Sequence, residues 1–550
     1  VVVFAPASAA APVFAPPVQI GQLGDPDSKR DSYLEGQLGV IIADDGAATV
    51  TWVGQWNDED TSHAGVYAAY RQAGGAWFGT PDRVSNDLAY NAKFAGNPRG
   101  DRVIGWDVPK HRSEYRGYDA RIAFAPAGRA FGRPEELPAP PSVAPAGAGA
   151  PTQSLISAVG MRPDGSAVVV YSECYGEVDH GPCVGLIAIH QADGAWSDPR
   201  RSGDGIADIA TDGWGGTHFL GFTFDPAVTG EQHPTLWASD LQADGSVGPK
   251  TVLSRPETWI SSYWQSVHFE ANRRGDLLAT WVAQPWPADI GSLDTDAACR
   301  PFGGTWQVTP RVVPGGGYGE LGEGGQAVVA GSAGSLEAPE VTTVFRSPAG
   351  DWSRPRSSSL PGPASGGSAA MKVDPSGSVI MAMLTDGWDT TVYRLFTASV
   401  TAVGDLPAPA ELSNRAGRIE GPAMALNPRG EGLLVWYEGD AERNSGIYAS
   451  TFEVEQPPAA SAPPVVSKFT AHARYFTFRT TRAARVQVTV AGKSRRVGLA
   501  ARARTGVNRV RFSKRVRSLL RRPGRYRATI RAHAPDGSIS RPRSVMIKRR

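Results

Sequence analysis

At 550 residues the chain exceeds what one hydrophobic core usually supports, so several domains or a repeat architecture are required. With 64 Gly and 44 Pro beside 41% hydrophobic residues, it is a foldable and turn-rich chain; this excludes disorder and favours many short strands. Its 56 basic and 54 acidic residues nearly cancel, and no window reaches the ~20 apolar residues of a membrane-crossing helix.

The chain opens on "VVVFAPASAAAPVF", where an apolar run passes into small residues and Ala7-Ser8-Ala9 fits a signal-peptidase site. Residues 1–9 are therefore expected to be the end of a secretory signal, and the product to be secreted or extracellular, possessing no transmembrane segment and acting as a monomer. The next stretch, "VFAPPVQIG" from Val13 to Gly21, has the wording of an outer strand without the rest of its sheet.

From there a phrase recurs. "NPRGDRVIGW" begins at Asn97 and "NPRGEGLLVW" at Asn427. Reduced to a turn glycine followed six residues later by a large apolar residue, it pairs Gly46 with Trp52, Gly100 with Trp106, Gly165 with Tyr171, Gly216 with Phe222, Gly275 with Trp281, Gly377 with Met383 and Gly430 with Trp436. A copy at Gly325 lacks the aromatic. Each copy predicts a tight turn, a continuous apolar strand such as "SAVVVY" (Ser166 to Tyr171), a polar loop, an alternating strand, and an edge strand marked by an aromatic and then Pro. Four strands per ~50 residues repeated radially predict an all-β fold: a seven- or eight-bladed β-propeller over 10–455, eight favoured, its last blade completed by the N-terminal strand. Arg99-Gly100-Asp101 lies on the repeating turn and is read as scaffold rather than as an integrin-type ligand.

Cys174 and Cys183 flank the loop of "SECYGEVDHGPC" and predict a disulfide, which suits an oxidising compartment; Cys299 is left over. A metal site from Cys174, Asp179, His180 and Cys183 is the competing reading, without paired CxxC or HExxH spacing behind it.

The loops expected on one face of the propeller are acidic, and three carry Trp: Trp56 beside Asp58, Glu59 and Asp60; Trp286 near Asp289; Trp388 between Asp386 and Asp389. Aromatic faces flanked by acids hold sugar rings, and clustered carboxylates hold Ca²⁺, the one cofactor this composition suits. No GxSxG, GxxxxGK[ST], HExxH or strand-to-helix GxGxxG occurs, so catalytic residues are not assigned.

"QPPAASAPP" over 456–464 reads as a stiff linker. Residues 465–550 then hold 25 Lys and Arg against one acid, Asp536, leaving 31 basic and 53 acidic residues in the remainder. The alternation in "ARVQVTVAG" and "GRYRATIRA" predicts strands with Val486, Val488, Val490, Tyr526, Ala528 and Ile530 inward and Arg485, Arg525, Arg527 and Arg531 outward, in a small basic β-sandwich with a hairpin turn at Asp536-Gly537. Arg495, Arg496, Arg509, Arg511, Arg525, Arg527 and Arg531 are the candidate contacts to anionic cell-envelope polymer or polysaccharide; nucleic acid presents the same charge.

The "DGAW", "GGTW" and "AGDW" turns resemble worn copies of the Asp-box of sialidases and related repeat propellers, with Asp193, Gly194 and Trp196 keeping the most of it. The resemblance implies a secreted bacterial repeat propeller in which the box is a structural turn; no residue matches that family's arginine cluster, Tyr nucleophile or Glu. The C-terminal part is similar in class to immunoglobulin or fibronectin type III domains. The expected function is an envelope-associated binding protein whose acidic, Trp-bearing face takes a carbohydrate or protein ligand while the basic domain attaches it. The alternatives are a carbohydrate-active hydrolase or lyase and a ligand-free spacer.

Overall fold

The computed structural model describes residues 12–549 apart from 23–31, 35–37, 58–61, 76, 78–79, 86–87, 111–116, 139–150, 176–182, 204, 225–233, 256–257, 261–266, 286–292, 336–337, 360–368, 388–389, 402–408, 414–417, 440–445, 455–464, 482–483, 493–495, 505 and 534–539. Two compact units divide the chain between 455 and 456.

The first unit is a β-propeller. Among the described residues, eight antiparallel sheets follow one another along the chain, each a run of hairpin-connected neighbours, and we number them 1 to 8. Their first strands are Gly39–Ile42, Tyr90–Gly96, Gln153–Met161, Gly205–Thr211, Val267–Ala271, Gly317–Leu321, Ala369–Val373 and Arg418–Leu426, with the short Ser32–Leu34 and Thr258–Ile260 preceding those of sheets 1 and 5 on the same partner strand. Each touches the next, and the eighth touches the first, so the cycle closes around an axis.

The repeated phrase explains both the turn and the joint between sheets. In sheet 2 the Asn97 side-chain oxygen accepts from the backbone N–H of Arg99 and Asp101, which forms the turn, while its amide donates to Asp101 and to the carbonyl of Arg162 in the turn of sheet 3. Asn272 does the same in sheet 5 and reaches the Gly322 carbonyl of sheet 6. Asn427 does it in sheet 8 and reaches Ala43 of sheet 1, 3.1 Å away and 384 residues distant in sequence. One asparagine thus satisfies the turn's donors and ties one sheet to its neighbour. Asp101, the acid of the Arg-Gly-Asp triplet, is spent on this turn, accepting from Asn97, Arg99 and the Ala127 N–H. In the fourth copy the glycine in the left-handed region is Gly215 (φ 81°), one residue before the Gly216 that the spacing indicated, because the turn closes from Gly215 N–H to the Asp212 carbonyl.

The apolar residue six positions after the glycine is core in every copy that has it: Trp52, Trp106, Tyr171, Phe222, Trp281, Met383 and Trp436 are all buried. In sheet 6 that position is Gly331, and a side chain there would collide with Val313 of the neighbouring sheet's outer strand, which explains the missing aromatic.

The N-terminal segment completes sheet 8, as its wording predicts. Val13–Phe14 and Val18–Gln22 both pair antiparallel with Gly446–Glu453, with Phe14 opposite Phe452 and Gln19 opposite Tyr448. The Phe14 and Phe452 rings stand 4.8 Å apart, and Ser450 donates its hydroxyl to the Ala15 carbonyl at 2.6 Å. Gly21 is required here: a Cβ would lie 2.5 Å from the Trp52 ring, over which this strand passes. The disulfide is formed between Cys174 and Cys183, directly opposite residues at the loop end of sheet 3, and Cys299 is buried and free. Asp179 and His180, of the competing metal reading, lie outside the described residues.

The second unit is a β-sandwich. Val466–Ala471, Tyr475–Thr480 and Gly506–Arg511 form one sheet, and Arg496–Ala503, Ala484–Ala491, Gly524–His533 and Arg543–Arg549 the other. Phe476 and Phe478 from the first pack with Val486, Val488, Val490, Ala528 and Ile530 from the second in one core. A single helical turn and a half, Lys514–Leu519, is capped by Ser513, whose hydroxyl accepts from the Val516 N–H. The inward and outward alternation holds residue by residue in Ala484–Ala491 and Gly524–His533, while the Asp536-Gly537 turn lies outside the described residues.

Asn427→Ala removes the bond between the last and first sheets and takes the side-chain acceptor from the Arg429 and Glu431 N–H groups, while the Ala43 carbonyl keeps its bond from Gly46, so we expect a loss of about 1–3 kcal/mol in urea unfolding, matched by Asn97→Ala and Asn272→Ala at the equivalent joints.

Candidate functional site

Because the first strands surround the axis, their polar side chains meet there. Glu270, Glu320 and Lys372 each stand five residues before a turn glycine, Gly275, Gly325 and Gly377, and so occupy the same level in three adjacent sheets. The Lys372 ammonium donates to both Glu320 oxygens, at 2.6 and 2.7 Å, and to Glu270 Oε1 at 3.2 Å. Glu270 Oε2 accepts from the Leu321 N–H at 2.8 Å, fastening sheet 5 to sheet 6.

One alternation further from the turns comes a second level, seven residues before the glycines: Lys93 in sheet 2, Asp208 in sheet 4, His268 in sheet 5 and Tyr318 in sheet 6. His268 Nε2 lies 3.4 Å from Glu270 Oε1 and makes no hydrogen bond; the His268 and Tyr318 rings meet edge to face at 6.1 Å. The side chains of His268, Glu270 and Lys372 keep 35%, 19% and 27% of their surface accessible, which places them against an axial space rather than in the dry core between sheets.

At the turn end this space is bridged. The Arg273 guanidinium, from the turn of sheet 5, forms a forked ion pair with Asp44, from the turn of sheet 1 on the opposite side of the ring, and also contacts Glu323. The level of Glu270, Glu320 and Lys372 lies just above that bridge, and the level of Lys93 and His268 lies beyond it towards the loop face.

Protonation follows from this crowding. Burial opposes charge on His268, but the carboxylates of Glu270, Glu320 and Asp208 outweigh it and push the imidazole up to about 9. For Glu320, burial and the neighbouring Glu270 push the carboxyl up to about 8, while Glu270 is held well below the carboxylate range by Lys372 and His268 against its own burial. Burial raises Asp208 to about 6, opposed by His268, its hydrogen bonds from the Ile209 and Phe269 N–H groups, and Lys93. Burial lowers Lys93.

A second buried network joins sheets 4 and 5 away from the axis. His218 Nδ1 lies 2.7 Å from Asp240, which Arg300 grips through two nitrogens, and Arg300 covers the Trp306 ring at 5.3 Å. It offers no nucleophile or open space and acts as a fastening.

The sandwich carries the other candidate surface. Arg496, Arg509, Arg511, Arg525 and Arg527 are exposed and Arg531 is half-buried, while Arg495 lies outside the described residues. Arg509 stacks over Tyr475 at 3.6 Å, with His472 on the same ring at 4.5 Å.

The loop residues predicted to bind ligand are not tested by this geometry. Trp56 and Asp386 sit near the ends of the strands Ala48–Asn57 and Val379–Gly387, and Asp58, Glu59, Asp60, Trp286, Asp289, Trp388 and Asp389 lie outside the described residues. The axial residues went unread in the sequence. The signal was present as a lone charge inside an otherwise apolar or small first strand ("VHFEA", "GYGEL", "AAMKV"), at a fixed distance from the turn.

No family profile matches the chain, and no curated protein matches it in sequence. Solved structures resemble it in outline. A protein of unknown function from Dyadobacter fermentans is 11% identical over 81% of this chain and 99% of that one, with a TM-score of 0.39. The haemagglutinin-neuraminidase ectodomain of parainfluenza virus 5 is 9% identical over 81% and 85%, at 0.35, and a sialidase from Streptococcus pneumoniae 8% identical over 80% and 94%, at 0.34. At these scores none of them assigns chemistry to this chain.

His268 and Glu320 both hold their proton more tightly in the folded chain than in the unfolded one, where the ordinary values are about 6.5 and 4.3. Their stabilising contribution is complete below those ordinary values and is lost as pH rises through about 9 and about 8 respectively. The melting midpoint of the propeller should therefore fall from about pH 4.3 to about 9, most steeply between about 6.5 and 8 where both groups contribute, and His268→Gln should flatten the part of that fall above about 6.5 in a calorimetric pH series. Lys372→Met, which leaves two carboxylates facing each other, should lower stability at pH 7 by up to about 3 kcal/mol.

Proposed function

We propose that this is an exported envelope binding protein in which the sandwich, an immunoglobulin- or fibronectin-like module, holds an anionic polymer and the propeller presents a ligand site. One observation carries the reading: on the described surface of the sandwich, basic side chains are exposed on both sheets and the helix, and no acidic residue stands among them. Alternate residues of a strand lie about 6.7 Å apart on one face, so Arg509 and Arg511, like Arg525 and Arg527, offer regularly spaced cations to a chain of repeating negative charge. Such contacts release counterions, and the affinity falls steeply with salt.

A second reading, a carbohydrate-active hydrolase, draws on the axial carboxylates. Ligand atoms of His268, Glu270 and Glu320 lie within 4.8 Å of one another, close enough for a pair acting on one bond. The Lys372 ammonium, however, occupies the gap between the two carboxylates where the reacting carbon of a sugar has to sit, so binding is the better supported activity.

The test is retention of the full chain on cell-wall, heparin and DNA columns over a salt gradient, compared with a chain ending at Glu455 and with full-length Arg509→Gln/Arg511→Gln/Arg525→Gln/Arg527→Gln. The full chain should elute last, and on DNA the salt slope should fall by about one for each phosphate contact removed. Equal elution of all three defeats the attachment reading.

A further inference from the structure

The axial space has a floor, a wall and an unmet demand for an acceptor. Its floor is neutralised internally, since the Lys372 ammonium is spent on Glu270 and Glu320. Behind the floor the Arg273–Asp44 bridge spans the ring from sheet 5 to sheet 1. The wall, one level nearer the loop face, is different. Among the described residues Lys93 has no hydrogen bond and no carboxylate within ion-pair distance; Asp208 and Asp107 act on it only at longer range. The Tyr318 hydroxyl is buried with no hydrogen-bond partner, and the buried His268 Nε2 has only the Glu270 carboxylate, at 3.4 Å.

A folded chain rarely leaves one such donor unpaired, because each costs about 1–3 kcal/mol and more when charged. Lys93 and Tyr318, unpartnered on two different sheets, and His268, with that one long contact, stand at one level of the axis. The remaining polar group at this level, Asp208, accepts only from backbone N–H groups and keeps acceptor capacity for a hydroxyl. The other four sheets carry Gly39, Ala158, Ala370 and Ala423 at this level and add no polar side chain.

We propose that this axial space binds a small hydroxylated carboxylate, its carboxylate received by Lys93, His268 and Tyr318 and a hydroxyl of it by Asp208. The charges decide the class. Two cationic donors call for an anion, but Asp208 on the wall repels a second negative charge, so a monoanionic carboxylate is preferred over a phosphate. The inference does not rest on the attachment reading: the chain can elute unaltered from every column and still take a ligand on the axis.

The experiment is calorimetric titration of the full chain in ~0.15 M salt, which weakens diffuse binding to the sandwich. Gluconate is the probe, with glycerol and inorganic phosphate as comparisons. Gluconate should bind saturably at one site per chain, glycerol should not bind, and phosphate should bind more weakly. Lys93→Met should weaken gluconate binding at least tenfold while leaving the melting temperature of the unliganded chain unchanged or higher, since it deletes a desolvated charge with no partner. Tyr318→Phe, which removes one hydroxyl, should weaken it several-fold. Absence of saturable gluconate binding in the parent chain, equal binding in both variants, or tighter binding of phosphate overturns the proposal. A lower melting temperature for Lys93→Met also counts against it, by showing the ammonium to be structural.

Discussion

The antiparallel pairing of the N-terminal segment with Gly446–Glu453 is the contact on which the rest depends. Without it sheet 8 has an unpaired edge, and the seam keeps only the apolar packing of sheet 8 on sheet 1, in which Val50 and Trp52 meet Leu433 and Val435, and the bond from Asn427 to Ala43. With it, residues from both ends of a chain segment over 430 residues long are held in register, and the cycle cannot open without breaking a strand. Ring closure then determines everything at the axis: it brings eight first strands to one line, and charges that are remote in sequence to bonding distance.

The distribution of polar groups between the joints and the axis follows from that geometry. At the joints, Asn97, Asn272 and Asn427 are neutral and fully satisfied, so they fasten without a desolvation penalty for charge. At the axis, Glu270 and Lys372 are charged and Glu320 holds its proton up to about pH 8, and they are tolerated because each is paired across sheets and some water reaches them. Lys93 and Tyr318, one level beyond, lack such partners.

The ring was legible in the sequence because its signals are local and repeated. Gly and Pro fix the turn, the aromatic six residues on marks the buried strand, and the outer-strand wording of Val13 to Gly21 reveals a strand lacking its sheet. The sandwich was legible because Val486, Val488 and Val490 alternate with polar residues at the period of a strand. The axial site was not, for a physical reason. A single Glu in "GYGEL" reads as a solvated edge until the strand is known to be innermost, and its partner Lys372 is 52 residues away in another copy. Only superposing the copies on their turn glycines reveals that Glu270, Glu320 and Lys372 share a level, and the remaining copies hide it by carrying Ile41, Ala95, Gly160, Ala210 and Ala425 there. The Arg273–Asp44 bridge is equally invisible, since it joins turns 229 residues apart.

Closure can be measured directly. Val13 and Glu453 are paired across the seam and both are exposed, so Val13→Cys/Glu453→Cys places two thiols opposite each other without disturbing the core. Mild oxidation followed by peptide mapping should recover the 13–453 crosslink in nearly all of the folded chain, alongside the 174–183 disulfide, and crosslinking should raise the unfolding midpoint. Two free thiols in a folded, oxidised chain, or crosslinks only between molecules, would contradict a ring sealed by its own N-terminus.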